Sequence, residues 1–212
     1  MKRRTFCTLA AIPLILGAHA AARAQEQFLP GRHFLDVSPR QPTKDARHVE
    51  VLEFFAYSCS HCNAFEPAID AWQKKLPRDV LFRRIPVAFR EDLVIHQELY
   101  FAIEAMGLVE QLHPKVFHAM HGERQKLASA AEIAAFAAKH GTDGKRLVDT
   151  MASFGITAKV KQATALARGY DIEGTPSLGI DGRWLTSGSM AGTNERSLLV
   201  AEHLVASAKK AR

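Results

Sequence analysis

Val51-Leu52-Glu53-Phe54-Phe55-Ala56-Tyr57-Ser58-Cys59-Ser60-His61-Cys62 is the stretch on which the fold turns. Its first half belongs to a run from Val49 to Tyr57 that is apolar almost throughout and rich in aromatic and β-branched residues, the pattern of a central strand covered on both faces. The run ends at two cysteines separated by two residues. Beyond them, Cys62, Phe65, Ile69, Trp72 and Leu76 recur at spacings of three and four, which predicts one stripe of a helix starting at or just before Cys59. Pro67 lies inside that helix and predicts a kink, because it removes a backbone donor. Val80 to Val87 reads as a second strand with Leu81, Ile85 and Val87 on one face, so the segment as a whole is a βαβ unit.

The rest of the chain arranges itself around this unit. Residues 1–24 read as a secretory signal: Lys2, Arg3 and Arg4 give a positive start, Leu9 to Leu16 an apolar centre, and Ala22-Arg23-Ala24 a small-x-small cleavage site. No stretch approaches the about 20 apolar residues that span a bilayer. The leader takes Cys7 with it, together with four of the 28 basic residues and no acidic ones, which leaves 24 against 22. The whole-chain charge of +6 is therefore no sign of a nucleic-acid partner, which calls for a clustered basic face. Residues 25–48 form a polar N-terminal arm broken by Pro30, Gly31, Pro39 and Pro42, with one short strand around His33 to Val37.

Residues 91–168 are helical almost throughout. Leu93, His96, Leu99, Tyr100 and Ile103 make one stripe ending near Gly107, and Val109, Leu112, Val116 and Phe117 a second. Ser129-Ala-Ala-Glu132 is a capping box that opens a third helix running to Gly141; Leu147, Val148 and Met151 mark a fourth, and Ile156 to Ala167 a fifth that ends at Gly169. Ser177–Ile180 and Arg183–Thr186 then read as strands joined by Asp181-Gly182, a pair suited to the positive φ angles of a tight hairpin. An amphipathic helix from Asn194 to Ala208 closes the chain. The fold class is α/β, with 49–90 and 169–212 forming one sheet-containing domain and 91–168 a helical domain inserted into it.

The cysteine pair carries the chemistry. A thiol at a helix N-terminus faces unpaired N–H groups and the positive end of the helix dipole, and both favour thiolate. Cys59 is placed there, so it is the exposed nucleophile, and Cys62, one turn in on the apolar stripe, is the buried resolving thiol. His61 lies between them as a source of positive charge or a donor. Because stabilising the thiolate stabilises only the reduced state, it makes the disulfide a stronger oxidant. Haem attachment requires a histidine after the second cysteine, and Asn63 stands there. A structural zinc site wants a second pair of ligands, and His113, His118 and His121 on one helical stretch read more simply as surface or packing residues. Neither a metal nor a cofactor is expected.

With these residues in place, the mature chain resembles the DsbA family of the thioredoxin superfamily over nearly its whole length. The resemblance is carried by Val51 to Phe55, Cys59-Ser60-His61-Cys62, Pro67 and Gly174-Thr175-Pro176. It implies a thioredoxin-like fold with a helical insertion, and a thiol:disulfide oxidase acting in the periplasm on reduced exported polypeptides, reoxidised by a DsbB-like membrane partner. It further implies that Glu53, an acid inside the apolar strand, exchanges protons with Cys62, that Arg84 is a basic residue able to pair with Glu53, that Pro176 is a cis-proline facing the cysteines, and that Thr175 offers its backbone to an extended substrate peptide. Ser60 departs from the proline usual at that place, and the dipeptide between the cysteines tunes the redox balance. A disulfide reductase or isomerase is the nearest alternative, and a metal-binding thioredoxin-like module a more distant one. The arm before Val49 is too short to be the dimerisation domain of an isomerase, and a monomer is expected.

Overall fold

The computed structural model describes residues 27–212, so the leader lies outside the described residues. A five-stranded mixed sheet is ordered β1(Leu35–Asp36), β5(Trp184–Ser187), β4(Ser177–Ile180), β2(Val49–Phe55), β3(Val80–Pro86). β2 runs parallel to β3 and antiparallel to β4. All seven residues of β2 are buried, which is why its sequence shows no polar alternation. The helix α1(Ser60–Gln73) follows β2 directly and continues through Pro67.

Helices α2(Val94–Ala105), α3(Val109–His121), α4(Ala130–Lys139), α5(Gly144–Met151) and α6(Phe154–Gly169) lie between β3 and β4 in the chain, after a 3-10 turn at Glu91–Leu93. They cover one face of the sheet: Leu52, Phe54 and Ile85 share a buried cluster with Leu99, Phe117 and Phe136. The other face packs Val49, Val51, Leu178 and Ile180 against Phe65, Ile69 and Trp72 of α1 and Leu204 of α8(Asn194–Lys210). Alternation along β2 therefore sends Glu53, two residues after Val51, toward the α1 side.

The N-terminal arm is held more firmly than its polar composition suggests. Two of its apolar residues, Phe28 and Phe34, are buried in the α1 and α8 cluster. β1 pairs with the outer edge of β5, and the amides of Val37 and Gln41 donate to the carbonyls of Arg183 and Gly182 at 2.7 and 2.8 Å. The expected strand at His33 to Val37 shrinks to two residues, because His33 is taken up in a turn, its amide donating to the Leu29 carbonyl. A second difference is the short helix α7(Gly188–Ala191), capped by the Ser187 hydroxyl, which comes between β5 and α8. Four residues are too few to show helical periodicity.

The capping box at α4 is present in modified form: the Ser129 hydroxyl accepts from the Glu132 amide, while the Glu132 carboxylate reaches back to the amide of Ala128 rather than that of Ser129. The β4–β5 turn follows its sequence, with Asp181 at φ 52° and Gly182 at φ 70°. A Cβ on Gly182 would lie 2.0 Å from the Gln41 carbonyl oxygen, so left-handed φ and close backbone approach both require glycine there. Gly182→Ala should lower the unfolding free energy by about 1–3 kcal/mol with the thiol chemistry intact. An unchanged urea midpoint would show that the arm is not tied to this turn.

Candidate active site

Three backbone constraints converge on Cys59. Strand β2 ends at Phe55, and the chain turns through a bond from the Cys59 amide to the Ala56 carbonyl, 3.0 Å, before α1 begins. Cys59 is then the N-cap of α1, with extended φ and ψ of −86° and 115°, so its side chain lies over the first turn of the helix. Cys59 Sγ accepts from the Cys62 amide at 3.3 Å. No acidic residue occupies that first turn to oppose a negative charge.

The third constraint comes from β4. Its first residue, Ser177, sits opposite Phe54, so the preceding Thr175-Pro176 is delivered to the end of β2 where the cysteines emerge. The Thr175–Pro176 peptide bond is cis, as the resemblance implies. The two cysteines are unbonded, and the carbonyl oxygen of Thr175 lies 3.2 Å from Cys59 Sγ, where it accepts a hydrogen only while Cys59 is protonated.

The two sulfurs occupy opposite environments. Cys59 is half-buried, and its pKa falls to about 5; the principal cause is the side-chain hydrogen bond with Cys62, with further lowering from a Thr175 side-chain hydrogen bond and the Cys62 and His61 amides, against the upward push of partial burial. Cys62 is buried, and burial drives its pKa well above that of an ordinary thiol, reinforced by the neighbouring Cys59 charge. At neutral pH the pair holds one negative charge, on the accessible sulfur.

His61 is exposed and lines, with Thr175 and Pro176, a cleft of about 900 Å³ that extends to Ser187 and Met190. Of His61, it is the main-chain amide that lowers the Cys59 pKa. The structure therefore brings Cys59, Cys62, Thr175 and Pro176 together, with the His61 ring at their edge.

Glu53 occupies a separate, buried layer. Parallel register places it directly across from Arg84 on β3, and Glu53 Oε2 lies 3.1 Å from Arg84 Nε. The two groups do not align as a hydrogen bond, so both Glu53 oxygens lack a hydrogen-bond partner. Burial raises the Glu53 pKa to about 8, opposed by the Arg84 charge and helped by that of Glu66.

The sequence reading missed how far this layer extends. Arg84 also contacts Glu66 Oε2 at 3.3 Å, Glu66 Oε1 meets His113 Nε2 at 3.1 Å, and His113 Nδ1 meets the Tyr57 hydroxyl at 2.8 Å. A signal for Glu66 existed. It follows Cys62 by four and precedes Ile69 by three, at the edge of the buried stripe of α1. His113 likewise follows Leu112 and precedes Val116 on the buried face of α3, whereas His118 points to solvent.

A dithiol at the mouth of a helix, facing a cis-proline loop beside a mixed sheet, defines a thioredoxin-fold thiol:disulfide oxidoreductase. Comparison with known proteins narrows the class. The family model for a DSBA-like thioredoxin domain matches residues 50–200. The thiol:disulfide interchange protein DsbA of Azotobacter vinelandii is 35% identical over 197 residues, 93% of this chain and 92% of that one. The protein of the same name from Bordetella pertussis is 34% identical over 211 residues, 99% of this chain and all of its own. The crystal structure of Pseudomonas aeruginosa DsbA superposes with a TM-score of 0.84 at 34% identity, over 87% of this chain and 96% of that one. The chain belongs to the DsbA family, and it is an oxidoreductase that introduces disulfide bonds into protein substrates.

The sulfur asymmetry has a consequence for stability against pH. The Cys59 pKa is depressed from the thiol value of 9.0 to about 5 in the fold, so its contribution to the reduced protein is full above the unfolded value and is lost as pH falls toward the folded one. The stability advantage of reduced wild type over reduced Cys59→Ala should therefore shrink steadily between pH 9 and pH 5. A difference in urea unfolding that stays flat across that interval would contradict the assignment of the charge to Cys59.

Proposed function

We propose that Cys59 is both the sulfur attacked by substrate and the sulfur that later leaves, with Cys62 as its resolving partner. The observation that carries this reading is the opposed titration of the two thiols, Cys59 down to about 5 and Cys62 far up. In the oxidised enzyme a substrate thiolate attacks Cys59 Sγ, the Cys59–Cys62 bond breaks, and its electron pair leaves on Cys62. A buried thiolate at Cys62 is costly, so it takes up a proton, and Glu53 is the buried acid that supplies it. A second substrate thiolate then attacks the substrate sulfur of the mixed disulfide and expels Cys59 as a stabilised thiolate. The substrate gains one disulfide, and the enzyme carries away two electrons as a dithiol.

Thr175 and Pro176 support the binding part of the reading. Their loop adjoins both Cys59 and the cleft, and an extended peptide laid there can use backbone pairing, which tolerates many sequences. His61, at the rim of the same cleft, assists at the nucleophile through its place in the first turn of α1. The enzyme works as a monomer in the periplasm on newly exported polypeptides, and a DsbB-type membrane reoxidase returns it to the disulfide state. That compartment agrees with the sequence of residues 1–24, and no helix among the described residues is long and apolar enough to cross a membrane.

Titration of the purified mature protein against glutathione tests the direction of the chemistry. The Cys59–Cys62 couple should lie well on the oxidising side of glutathione, and a couple on the reducing side would replace the oxidase with a reductase. Cys59→Ser should abolish disulfide transfer, and Cys62→Ser should accumulate substrate as a mixed disulfide on Cys59. A Cys62→Ser protein that gathers no such adducts in exported fractions would contradict the assigned roles.

A further inference from the structure

Arg84 stands between two carboxylates, and one guanidinium matches only one of them. Glu53 approaches its Nε from β2 at 3.1 Å, and Glu66 approaches a terminal guanidinium nitrogen from α1 at 3.3 Å. With both ionised, this buried site would carry an uncompensated negative charge, so one proton stays with the pair. Which carboxyl keeps it depends on what else each one touches. Glu53 is fully buried and has no hydrogen-bond partner. Glu66 has a second partner, His113 of α3, and borders a cleft of about 280 Å³ whose lining also includes Asp70, Lys74 and Glu110.

The direction of the hydrogen bonds follows from the carboxylate. An ionised Glu66 only accepts, so His113 Nε2 carries the hydrogen; a neutral imidazole then has its lone pair at Nδ1, and the Tyr57 hydroxyl, 2.8 Å away, donates to it. Burial keeps His113 neutral, lowering its pKa against the pull of Glu66, and burial likewise keeps the Tyr57 hydroxyl protonated. Tyr100 of α2 also faces this site and is held neutral by burial. The groups around the carboxyl pair are thus Arg84 from β3, His113 from α3, Tyr100 from α2 and Tyr57 from the turn before Cys59, with Glu110 of α3 also acting on His113.

We propose that His113, oriented by Tyr57, is a positioning residue that assigns the negative charge of the buried carboxylate pair to Glu66 and so leaves the proton on Glu53. The titration directions agree: against the cost of burial, the His113 hydrogen bond and the Arg84 charge hold Glu66 below its ordinary value, while Glu53 rises to about 8. The importance of this for turnover rests on the reading of Glu53 as the acid for Cys62. The assignment of charge stands without it.

Carbon-13 titration of the glutamate side-chain carboxyls in the reduced protein tests the proposal, with Glu53→Gln and Glu66→Gln identifying the two signals. In His113→Leu the Glu66 midpoint should rise by about one pH unit, and the Glu53 curve should spread to lower pH as the two groups begin to share the proton. His113→Gln, which keeps a donor, should bring Glu66 back toward its wild-type midpoint, a recovery that a packing role for the ring would not give. Glu66→Gln should lower the Glu53 midpoint, because Arg84 is then undivided. If His113→Leu does not fold, Tyr57→Phe carries the same test with a smaller shift. A Glu66 midpoint unmoved in the folded variant, or a Glu53 midpoint unmoved in Glu66→Gln, overturns the proposal. Failure of wild-type enzyme to oxidise a dithiol peptide would instead remove the oxidase reading and leave the carboxyl titration to stand or fall alone.

Discussion

A sulfur anion held at the first turn of a helix organises this molecule. Cys59 is the N-cap of α1, and a thiolate there receives the Cys62 amide where a serine or aspartate would otherwise accept it. Helix N-termini leave several amides unpaired, and an accepting anion satisfies them at the moment it forms. Forming the disulfide removes that charge, so the amides lose their strongest acceptor. Oxidation is disfavoured by the same contacts that make the reduced state comfortable, and a disulfide of this kind is readily given to another protein.

The remainder of the structure keeps that sulfur in place and its partner unlike it. The all-buried strand β2 fixes where the chain leaves the sheet, and β4, paired with its end, delivers the cis-proline loop to the same point. Cys62, one turn along, falls on the buried stripe of α1 with Phe65 and Ile69 and is denied solvent. An inserted set of helices covers the face of the sheet opposite α1, and α3 also supplies His113 to the buried charges. Those charges are expensive, since taking each ion out of water costs several kcal/mol even after the surroundings relax. The proposed role of Glu53 as the acid for Cys62 gives that cost a use.

Much of this was legible in the chain. The largely apolar run of β2, the helical stripe after the cysteines and the Asp181-Gly182 turn are local signals, and each element forms where its signal lies. The placement of Cys59 at the helix mouth and of Cys62 on its buried stripe followed from helix position alone, and the pairing of Glu53 with Arg84 from family resemblance, with the register of two parallel strands as its physical cause. What escaped reading depends on contacts distant in sequence. Phe28 and Phe34 show no periodic pattern in a polar arm, and their burial depends on α8 and β5 being beside them. The link from Glu66 to His113 joins residues 47 positions apart on separate helices, and no local pattern reports it. His61 is the instructive case for the site: its position between the cysteines suggested a ring effect, whereas its contribution to lowering the Cys59 pKa comes from the backbone amide that any residue there would bring.

Whether the thiolate sets the direction of the chemistry is measured most directly by comparing the unfolding free energies of the oxidised and reduced protein at neutral pH. A structural disulfide stabilises its fold by restricting the unfolded chain. Here the reduced form should be the more stable of the two, because the anion at Cys59 exists only in that state. An oxidised protein more stable than the reduced one would contradict the account.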